Sequence, residues 1–176
     1  DLQKAAGVQF ADFNQDGISE LFVGNQVLDG ITGAIVAQPP TNANRKNWPR
    51  GLAGGSGSNQ DYMTSAHDVL PDAFCATCSG VELIAGNTVY AIDLSNPSST
   101  GALTIAAQMT PTGTYGDGLT SLADWDGDGQ LDIIVSGANG SGAYLYIWNP
   151  RTGALITQDG EGNALPGGIV DIQAGN

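Results

Sequence analysis

Two short segments of the chain carry an oxygen-bearing side chain at their first, third, fifth and ninth positions. Residues 12–20 and residues 124–132 both follow the pattern D-x-[DN]-x-D-G-x-x-[DE]. A hard cation such as Ca²⁺ takes about six to eight oxygen ligands, and a tight loop whose alternate residues point inward can supply them. The sequence therefore predicts two Ca²⁺ sites, with side-chain oxygens and one backbone carbonyl oxygen per loop as ligands. The predicted ligands are Asp12, Asn14, Asp16, the carbonyl of Ile18 and Glu20 in the first loop, and Asp124, Asp126, Asp128, the carbonyl of Gln130 and Asp132 in the second.

The acid at the ninth position of each loop distinguishes these segments from EF-hands. An EF-hand has a bidentate Glu at position twelve and a helix on either side, whereas position twelve here is Val23 or Val135. The residues after each ninth-position acid are aliphatic, aromatic or β-branched, which favours strands. Asp, Asn and Gly also favour turns that bind no metal, so an Asx-rich turn without an ion stays an alternative.

A weaker copy of the loop lies midway between the two. Asp12 and Asp124 lie two periods of about 56 residues apart, a spacing typical of propeller blades and other arrays, and the midpoint is Asp68. After an insertion, Glu82 and its apolar run match Glu20 and the run that follows it. The middle repeat has therefore lost its regular metal loop.

The insertion contains both cysteines of the chain, Cys75 and Cys78. Their spacing allows a small disulfide loop, which would fit an oxidising compartment. Free buried thiols, a redox pair or half of a zinc site are the alternatives, although zinc needs further ligands and His67 is the only histidine. Our hypothesis is that a disulfide between Cys75 and Cys78 holds this loop in place of an ion.

The repeats also share a strand pattern. Each contains four short strand-like runs joined by Gly, Asn and Asp turns, and no segment keeps a 3.6-residue apolar period. Four antiparallel strands in a unit of about 40–60 residues are typical of a propeller blade. The sequence therefore predicts an all-β fold of about three four-stranded antiparallel β-propeller-type blades, within a larger ring or assembly. The predicted units are residues 1–65, 66–117 and 118–165, followed by the start of a further blade at 166–176.

The two loop segments resemble the FG-GAP/VCBS repeat family. They read FADFNQDGISEL at 10–21 and LADWDGDGQLDI at 122–133. Blades of this family form the propellers of integrin α-subunits and occur in many secreted bacterial proteins. The resemblance implies that the loop positions named above bind Ca²⁺, while the middle repeat keeps only Asp68, Asp72 and Glu82. It also implies a ring of about seven blades, so the chain is expected to be a piece of a longer protein or to be completed by another chain.

The chain is strongly acidic, with 18 acidic and 5 basic residues and a formal net charge of −13. Nucleic acids and anionic membranes bind Lys and Arg, so we expect no nucleic-acid partner. We also expect no membrane insertion, because no apolar run approaches the ~20 residues of a membrane span. Weak Ca²⁺ loops of this kind suit extracellular calcium, at about millimolar concentration, better than the cytosol. With the cysteine pair, they predict a secreted or cell-surface protein whose chain, beginning at Asp1, is processed or excised.

The expected function is adhesion, binding of an extracellular protein or glycan ligand, or extracellular assembly, including self-association through open blade edges. A loop with Arg45, Lys46 and Arg50 around Trp48 is a candidate contact for an acidic ligand. No catalytic residues are predicted, because the single histidine has no paired nucleophile. Two alternatives stay open: the propeller scaffold of a secreted polysaccharide lyase or hydrolase, and the subunit of a structural filament.

Overall fold

Strands make up the regular structure of the chain. The computed structural model describes residues 7–39, 63–78, 80–95, 102–110, 118–139, 142–156 and 169–171. Within these ranges there are twelve strands and no helix, hence no helix able to cross a membrane. The strands are β1 (Gln9–Ala11), β2 (Glu20–Val23), β3 (Gln26–Leu28), β4 (Ile35–Ala37), β5 (Ser65–His67), β6 (Glu82–Ala85), β7 (Thr88–Ile92), β8 (Leu103–Gln108), β9 (Leu119–Ala123), β10 (Asp132–Asn139), β11 (Gly142–Trp148) and β12 (Ile169–Asp171).

The strands form three antiparallel sheets of four strands each, in the orders β1-β2-β3-β4, β5-β6-β7-β8 and β9-β10-β11-β12. Because strands that follow one another in the chain are paired and antiparallel, tight turns can join them. Two of these turns place a glycine in the left-handed region, Gly24 (φ 56°) between β2 and β3 and Gly86 (φ 59°) between β6 and β7. The prediction of an all-β fold with four-stranded antiparallel units is confirmed.

Side chains alternate between the two faces of a strand, so the register of each sheet defines rows of facing residues. We call the row that contains the residue after Glu20, Glu82 or Asp132 the leading row, and the row one residue further along that strand the trailing row. The leading rows are Phe10, Leu21, Leu28 and Ile35 in the first sheet, Ala66, Leu83, Tyr90 and Ile105 in the second, and Leu122, Ile133, Trp148 and Leu155 in the third. The trailing rows are Gln9, Phe22, Val27 and Ala37, then Ser65, Ile84, Val89 and Ala107, then Ser121, Ile134, Ile147 and Ile156. Every leading row is apolar throughout.

The sheets stack face to face. One buried core combines members of the trailing row of the first sheet with members of the leading row of the second. The other core combines the trailing row of the second sheet with the leading row of the third. Both faces of the second sheet are therefore buried, which explains why the neighbours Leu83 and Ile84 are both 0% exposed. Tyr146 and Trp148, two residues apart, lie on one face of β11, and both are buried in the second of these cores.

The fourth strand of the third sheet comes from near the end of the chain. The sequence predicts that residues 166–176 begin a further blade, but Ile169–Asp171 instead pairs with β11 as β12. Leu155 also pairs with β11, through an isolated bridge to Trp148. Because β11 is seven residues long, its edge has room for both segments.

The predicted basic loop lies outside the part of the chain that the structure describes. This applies to its cationic residues and its tryptophan, which are Arg45, Lys46, Arg50 and Trp48. Their role as a contact for an acidic ligand therefore stays a prediction.

Candidate metal centres

Both predicted metal loops join the first and second strands of a sheet, β1 to β2 and β9 to β10. The same four hydrogen bonds occur in each loop, from a backbone N–H to a side-chain oxygen. In the first loop the acceptors are Asp12 Oδ2 (from Gly17, 2.9 Å), Asn14 Oδ1 (from Asp16, 3.1 Å), Asp16 Oδ1 (from Ile18, 2.8 Å) and Glu20 Oε2 (from Phe13, 2.9 Å). In the second they are Asp124 Oδ2 (from Gly129, 3.0 Å), Asp126 Oδ1 (from Asp128, 3.2 Å), Asp128 Oδ1 (from Gln130, 2.8 Å) and Asp132 Oδ2 (from Trp125, 3.0 Å). The two loops therefore share one conformation.

The backbone of both loops is left-handed at the same two positions. Gly17 (φ 88°) and Gly129 (φ 83°) occupy the sharp turn where the sequence pattern has glycine. Two residues earlier, the first loop has Gln15 (φ 58°) and the second has Gly127 (φ 76°). Gln15 is the only non-glycine residue at positive φ in the described ranges. Because a side chain at Cβ disfavours the left-handed region, the first loop adopts this conformation at a cost at Gln15.

The alternate acids of the second loop converge. Ligand oxygens of Asp124, Asp126 and Asp128 lie within 4.8 Å of one another, a separation that one cation can bridge at its usual oxygen distances of about 2.3–2.6 Å. In the first loop Asn14 stands in place of Asp126, and its Nδ2 donates to Oδ2 of Asp16 at 3.0 Å. Rotating the side-chain amide of Asn14 by half a turn would place its Oδ1, in place of Nδ2, beside the Asp16 carboxylate.

The predicted carbonyl ligands, Ile18 and Gln130, lie at equivalent points of the two loops. Their N–H groups donate to Asp16 and Asp128, respectively. The role of their carbonyl oxygens as ligands stays a prediction.

Asp132 supplies the strongest indication of a cation site. The residue is 0% exposed, and while its Oδ2 accepts the Trp125 N–H, its Oδ1 has no hydrogen-bond partner. Burial raises the pKa of this carboxyl, as do the charges of Asp126 and Asp128, while backbone hydrogen bonds from Trp125 and Asp126 act in the opposite direction. A buried carboxylate oxygen without a donor is costly. The oxygens of Asp132 lie outside the group formed by Asp124, Asp126 and Asp128, but its unpartnered oxygen belongs to the same loop and fits a cation bound nearby.

Glu20 holds the equivalent position in the first loop. It is 4% exposed and bonds the Phe13 N–H. Burial raises the pKa of its carboxyl, as do the charges of Asp16 and Asp12, while the backbone hydrogen bonds act in the opposite direction. The same electrostatic arrangement therefore occurs at both loops.

The middle repeat keeps this buried acid but not the cluster around it. Glu82 is 1% exposed, and its Oε2 accepts the N–H groups of Val69 (2.9 Å) and Leu70 (3.1 Å). Leu70, buried in the core, stands where the metal loops have an oxygen ligand at position three. Asp68 and Asp72 are exposed. This loop is therefore tied by the same acid without a complete set of ligands.

The predicted disulfide between Cys75 and Cys78 is confirmed, with a Cα–Cα distance of 5.1 Å. Cys78 is fully buried in the core between the second and third sheets, and Cys75 packs against the same core. The disulfide thus anchors the connection between β5 and β6, which is equivalent to the two connections that carry the predicted metal loops. This arrangement is consistent with the hypothesis that it replaces an ion.

Glu82 should make the folded chain less stable as the pH rises. Burial raises the pKa of Glu82 from 4.5 to about 7, so the folded state holds this proton more tightly than the unfolded chain does. Its contribution is fully present below pH 4.5 and is lost as the pH passes about 7, and a shift of this size corresponds to about 3 kcal/mol. In urea titrations with EDTA, Glu82→Gln should flatten the dependence of the free energy of unfolding on pH. The charge of Asp72 also raises the pKa of Glu82, but less than burial does, so Asp72→Asn should reduce the pH dependence only slightly. Parallel profiles for Glu82→Gln and the parent chain would contradict the expectation.

Arg151 is a residue of the second site that the sequence did not reveal. Its Nη2 lies 3.5 Å from Oδ2 of Asp128, and its Nη1 donates to the carbonyl oxygen of Leu131 at 3.4 Å. It belongs to the turn after β11, where the first repeat has Ile31. Only the alignment of those turns, combined with the fold, could have placed it beside the loop.

A groove of about 620 Å³ lies next to the first loop. Its lining includes the carboxylates Asp16, Asp68, Asp72 and Asp93 together with apolar side chains such as Ile92. The groove therefore presents negative charge from the first and second repeats beside an apolar surface.

Comparisons of the chain with protein-family models, with curated proteins and with solved structures find no match. The FG-GAP/VCBS resemblance therefore stays a prediction that rests on the two loop segments. The chemistry of the site has to be judged from the geometry of the loops themselves.

Proposed function

We propose that this chain is a calcium-stabilised array of propeller-type blades that binds an extracellular ligand. The observation that carries the proposal is Oδ1 of Asp132, which is buried without a donor near three carboxylates whose oxygens lie within 4.8 Å of one another. Buried charge of this kind needs a positive partner. Among the described residues, none donates a hydrogen bond to that oxygen.

A bound Ca²⁺ would neutralise the clustered acids and fix the connection between the first two strands of the sheet. The residues that would hold the ions are Asp124, Asp126, Asp128, Gln130 and Asp132 in one loop, and Asp12, Asn14, Asp16, Ile18 and Glu20 in the other. The role of the ion is structural in this proposal, because the loops support the sheets to which they are attached.

The donor set favours Ca²⁺ over other metals. All predicted ligands are oxygens, and neither loop contains a sulfur or an imidazole, which disfavours zinc and copper. Mg²⁺ demands near-ideal octahedral geometry, whereas Ca²⁺ accepts irregular loops with about six to eight oxygens. Calcium at extracellular concentrations also agrees with the Cys75–Cys78 disulfide, since disulfides persist in oxidising compartments.

The groove beside the first loop supports a binding role. Its carboxylates and apolar side chains suit a ligand that carries positive charge next to apolar groups. A protein segment with Lys or Arg has this chemistry, whereas a neutral or acidic glycan does not. Within the wider function of adhesion and ligand binding, we therefore favour a protein ligand at this groove.

The alternative of a polysaccharide lyase or hydrolase has no specific support. It would need a basic residue near a calcium loop to abstract a proton. Of the Lys and Arg residues, Arg151 alone lies in the described ranges, and it is already in contact with Asp128. His67 is exposed, with its Nδ1 at 3.1 Å from the carbonyl oxygen of Asp68. The enzymatic alternative therefore stays a prediction without an observation in its favour.

Calorimetric titration with Ca²⁺ tests the proposed function. We expect two sites, with dissociation constants of about 10⁻³ M or tighter, as extracellular calcium modules have. Asp16→Asn and Asp128→Asn should each remove one site. Asp72→Asn, at the equivalent position of the middle repeat, is the matched control and should retain both. No binding at millimolar calcium, or two sites in Asp128→Asn, would contradict the proposal.

A further inference from the structure

The outer face of the first sheet repeats a surface that is buried elsewhere in the molecule. In the second and third sheets, the leading row packs on the sheet before it. There Leu83 and Ile133 are both 0% exposed. Their equivalent in the first sheet, Leu21, is only partly buried, and its neighbour Phe10 is 73% exposed. The first sheet therefore presents a leading row that lacks the full cover its equivalents have.

The outer face of the third sheet is the counterpart of this surface. Trailing rows of the first and second sheets are buried against the next sheet. In the third sheet Ile147 and Ile156 are already buried in the single chain, but Ile134 is partly exposed and Leu119, on the same face, is 47% exposed. The area open to a partner therefore centres on Leu119, Ser121 and Ile134.

A side-chain hydrogen bond recurs at both internal junctions between sheets. Gln9 Nε2 donates to the carbonyl oxygen of Thr64 at 2.6 Å, and Ser65 Oγ donates to the carbonyl oxygen of Thr120 at 2.9 Å. Each donor is the trailing-row residue on the first strand of its sheet. Each acceptor is the residue immediately before the equivalent position in the next sheet. This hydrogen bond therefore helps to fix the position of one sheet relative to the next.

The same donor and acceptor are present at the two outer faces. Ser121 opens the trailing row of the third sheet and is exposed. Val8 directly precedes Gln9 in the first sheet and is 62% exposed. A carbonyl acceptor needs no particular side chain, so Ser121 Oγ of one copy can bond the Val8 carbonyl oxygen of another as at the internal junctions. The outer faces are therefore complementary in their apolar rows and in this polar contact.

We propose that the leading face of the first sheet docks the trailing face of the third sheet of a second copy of this chain. Two copies joined in this way at both ends contain six sheets, within the range of about four to eight blades of known propellers. The two contacts are related by a two-fold axis, and closed symmetry covers both outer faces. Docking depends on the sheet stacking and not on calcium, whereas closure into a ring rests on the blade arrangement of the proposed function.

Light scattering coupled to size exclusion measures the predicted assembly. The parent chain should have the mass of two chains of 17.9 kDa, in calcium and in EDTA alike. Phe10→Lys should weaken association by at least about tenfold, because it buries a charge in an apolar contact. Ile31→Lys is the matched control, since Ile31 is also 73% exposed but lies outside the leading row. A monomeric parent chain, or equal losses in both variants, would overturn the proposal.

A cysteine pair tests the orientation of the two copies. The double variant Val8→Cys/Ser121→Cys should form a dimer linked by disulfides on a non-reducing gel, and neither single variant should do so. Both positions are exposed, so the substitutions should leave folding intact. A dimer from Val8→Cys alone would mean that two first sheets meet, and a ladder from the double variant would mean an open filament; both results overturn the closed ring. Calcium titration of the same samples separates a failure of docking, in which both metal sites persist, from a failure of the proposed metal function.

Discussion

Saturating calcium should stabilise the folded chain by about 5 kcal/mol, since a ligand at a hundredfold its dissociation constant contributes about 2.7 kcal/mol per site. For a chain of 176 residues this corresponds to a rise of about 10–20 °C in Tm. Asp132→Ala should remove about half of the rise, because the second loop then loses the buried oxygen that has no other partner. Scanning calorimetry in calcium and in EDTA measures both quantities.

The comparison between calcium and EDTA isolates the ion from other effects of this substitution. In EDTA, Asp132→Ala leaves the Trp125 N–H without its acceptor but also removes a buried carboxylate that lacks a full set of donors. These effects oppose each other and belong to the ion-free chain. They therefore cancel when the EDTA value of each variant is subtracted from its own calcium value. Asp72→Ala, in the middle repeat, should keep the full rise in Tm. A full rise in Asp132→Ala would show that the second loop does not bind the ion through this residue.

The loops and the strands beside them could be predicted because the information lies within a few residues. In 124–132, alternate acids and Gly129 are sufficient to specify the turn and the side on which the oxygens lie. The strand that follows keeps a period of two, which is also a local property. The same alternation places Tyr146 and Trp148, two residues apart, on one face of β11, and both are buried there.

Features that depend on distant parts of the chain could not be predicted in this way. Arg151 meets Asp128 across 23 residues of sequence, through a turn whose composition gives no hint of a metal loop. Residues 166–176 look like the lead-in strand of a further blade, yet Ile169–Asp171 pairs with β11. Whether this segment starts a new sheet or joins the third one depends on the edge of β11. The sequence of 166–176 contains no information about that edge.

The pKa of Glu82 in the middle repeat also could not be predicted from the sequence. The alignment of Glu82 with Glu20 indicates an equivalent position, but the high pKa of Glu82 follows from burial. Leu70 contributes to this difference, because an apolar side chain enters the core where the other loops carry an oxygen. The loss of the oxygen at position three, together with the insertion that contains Cys75 and Cys78, accompanies the change from a candidate metal loop to a loop held by a disulfide.

Two equivalent residues should lose very different amounts of stability when truncated. Trp148 and Leu28 hold the same place in the leading rows of the third and first sheets. Trp148 is 0% exposed and donates its indole N–H to the carbonyl oxygen of Gly86 at 3.2 Å. Trp148→Ala should therefore lower the free energy of unfolding by about 3–5 kcal/mol. Leu28 is partly exposed in the single chain, so Leu28→Ala should cost only about 1 kcal/mol there.

If a second copy covers the first sheet, the difference in stability loss between Trp148→Ala and Leu28→Ala should depend on protein concentration. In urea unfolding at a concentration where two copies are joined, the cost of Leu28→Ala should rise to about 2–3 kcal/mol, because the side chain is then buried as Trp148 is. The cost of Trp148→Ala should be the same at low and high concentration, since its core lies within one chain. A loss that stays near 1 kcal/mol for Leu28→Ala at every concentration would contradict docking on this face. Only a surface that another molecule covers can make the effect of a substitution depend on concentration.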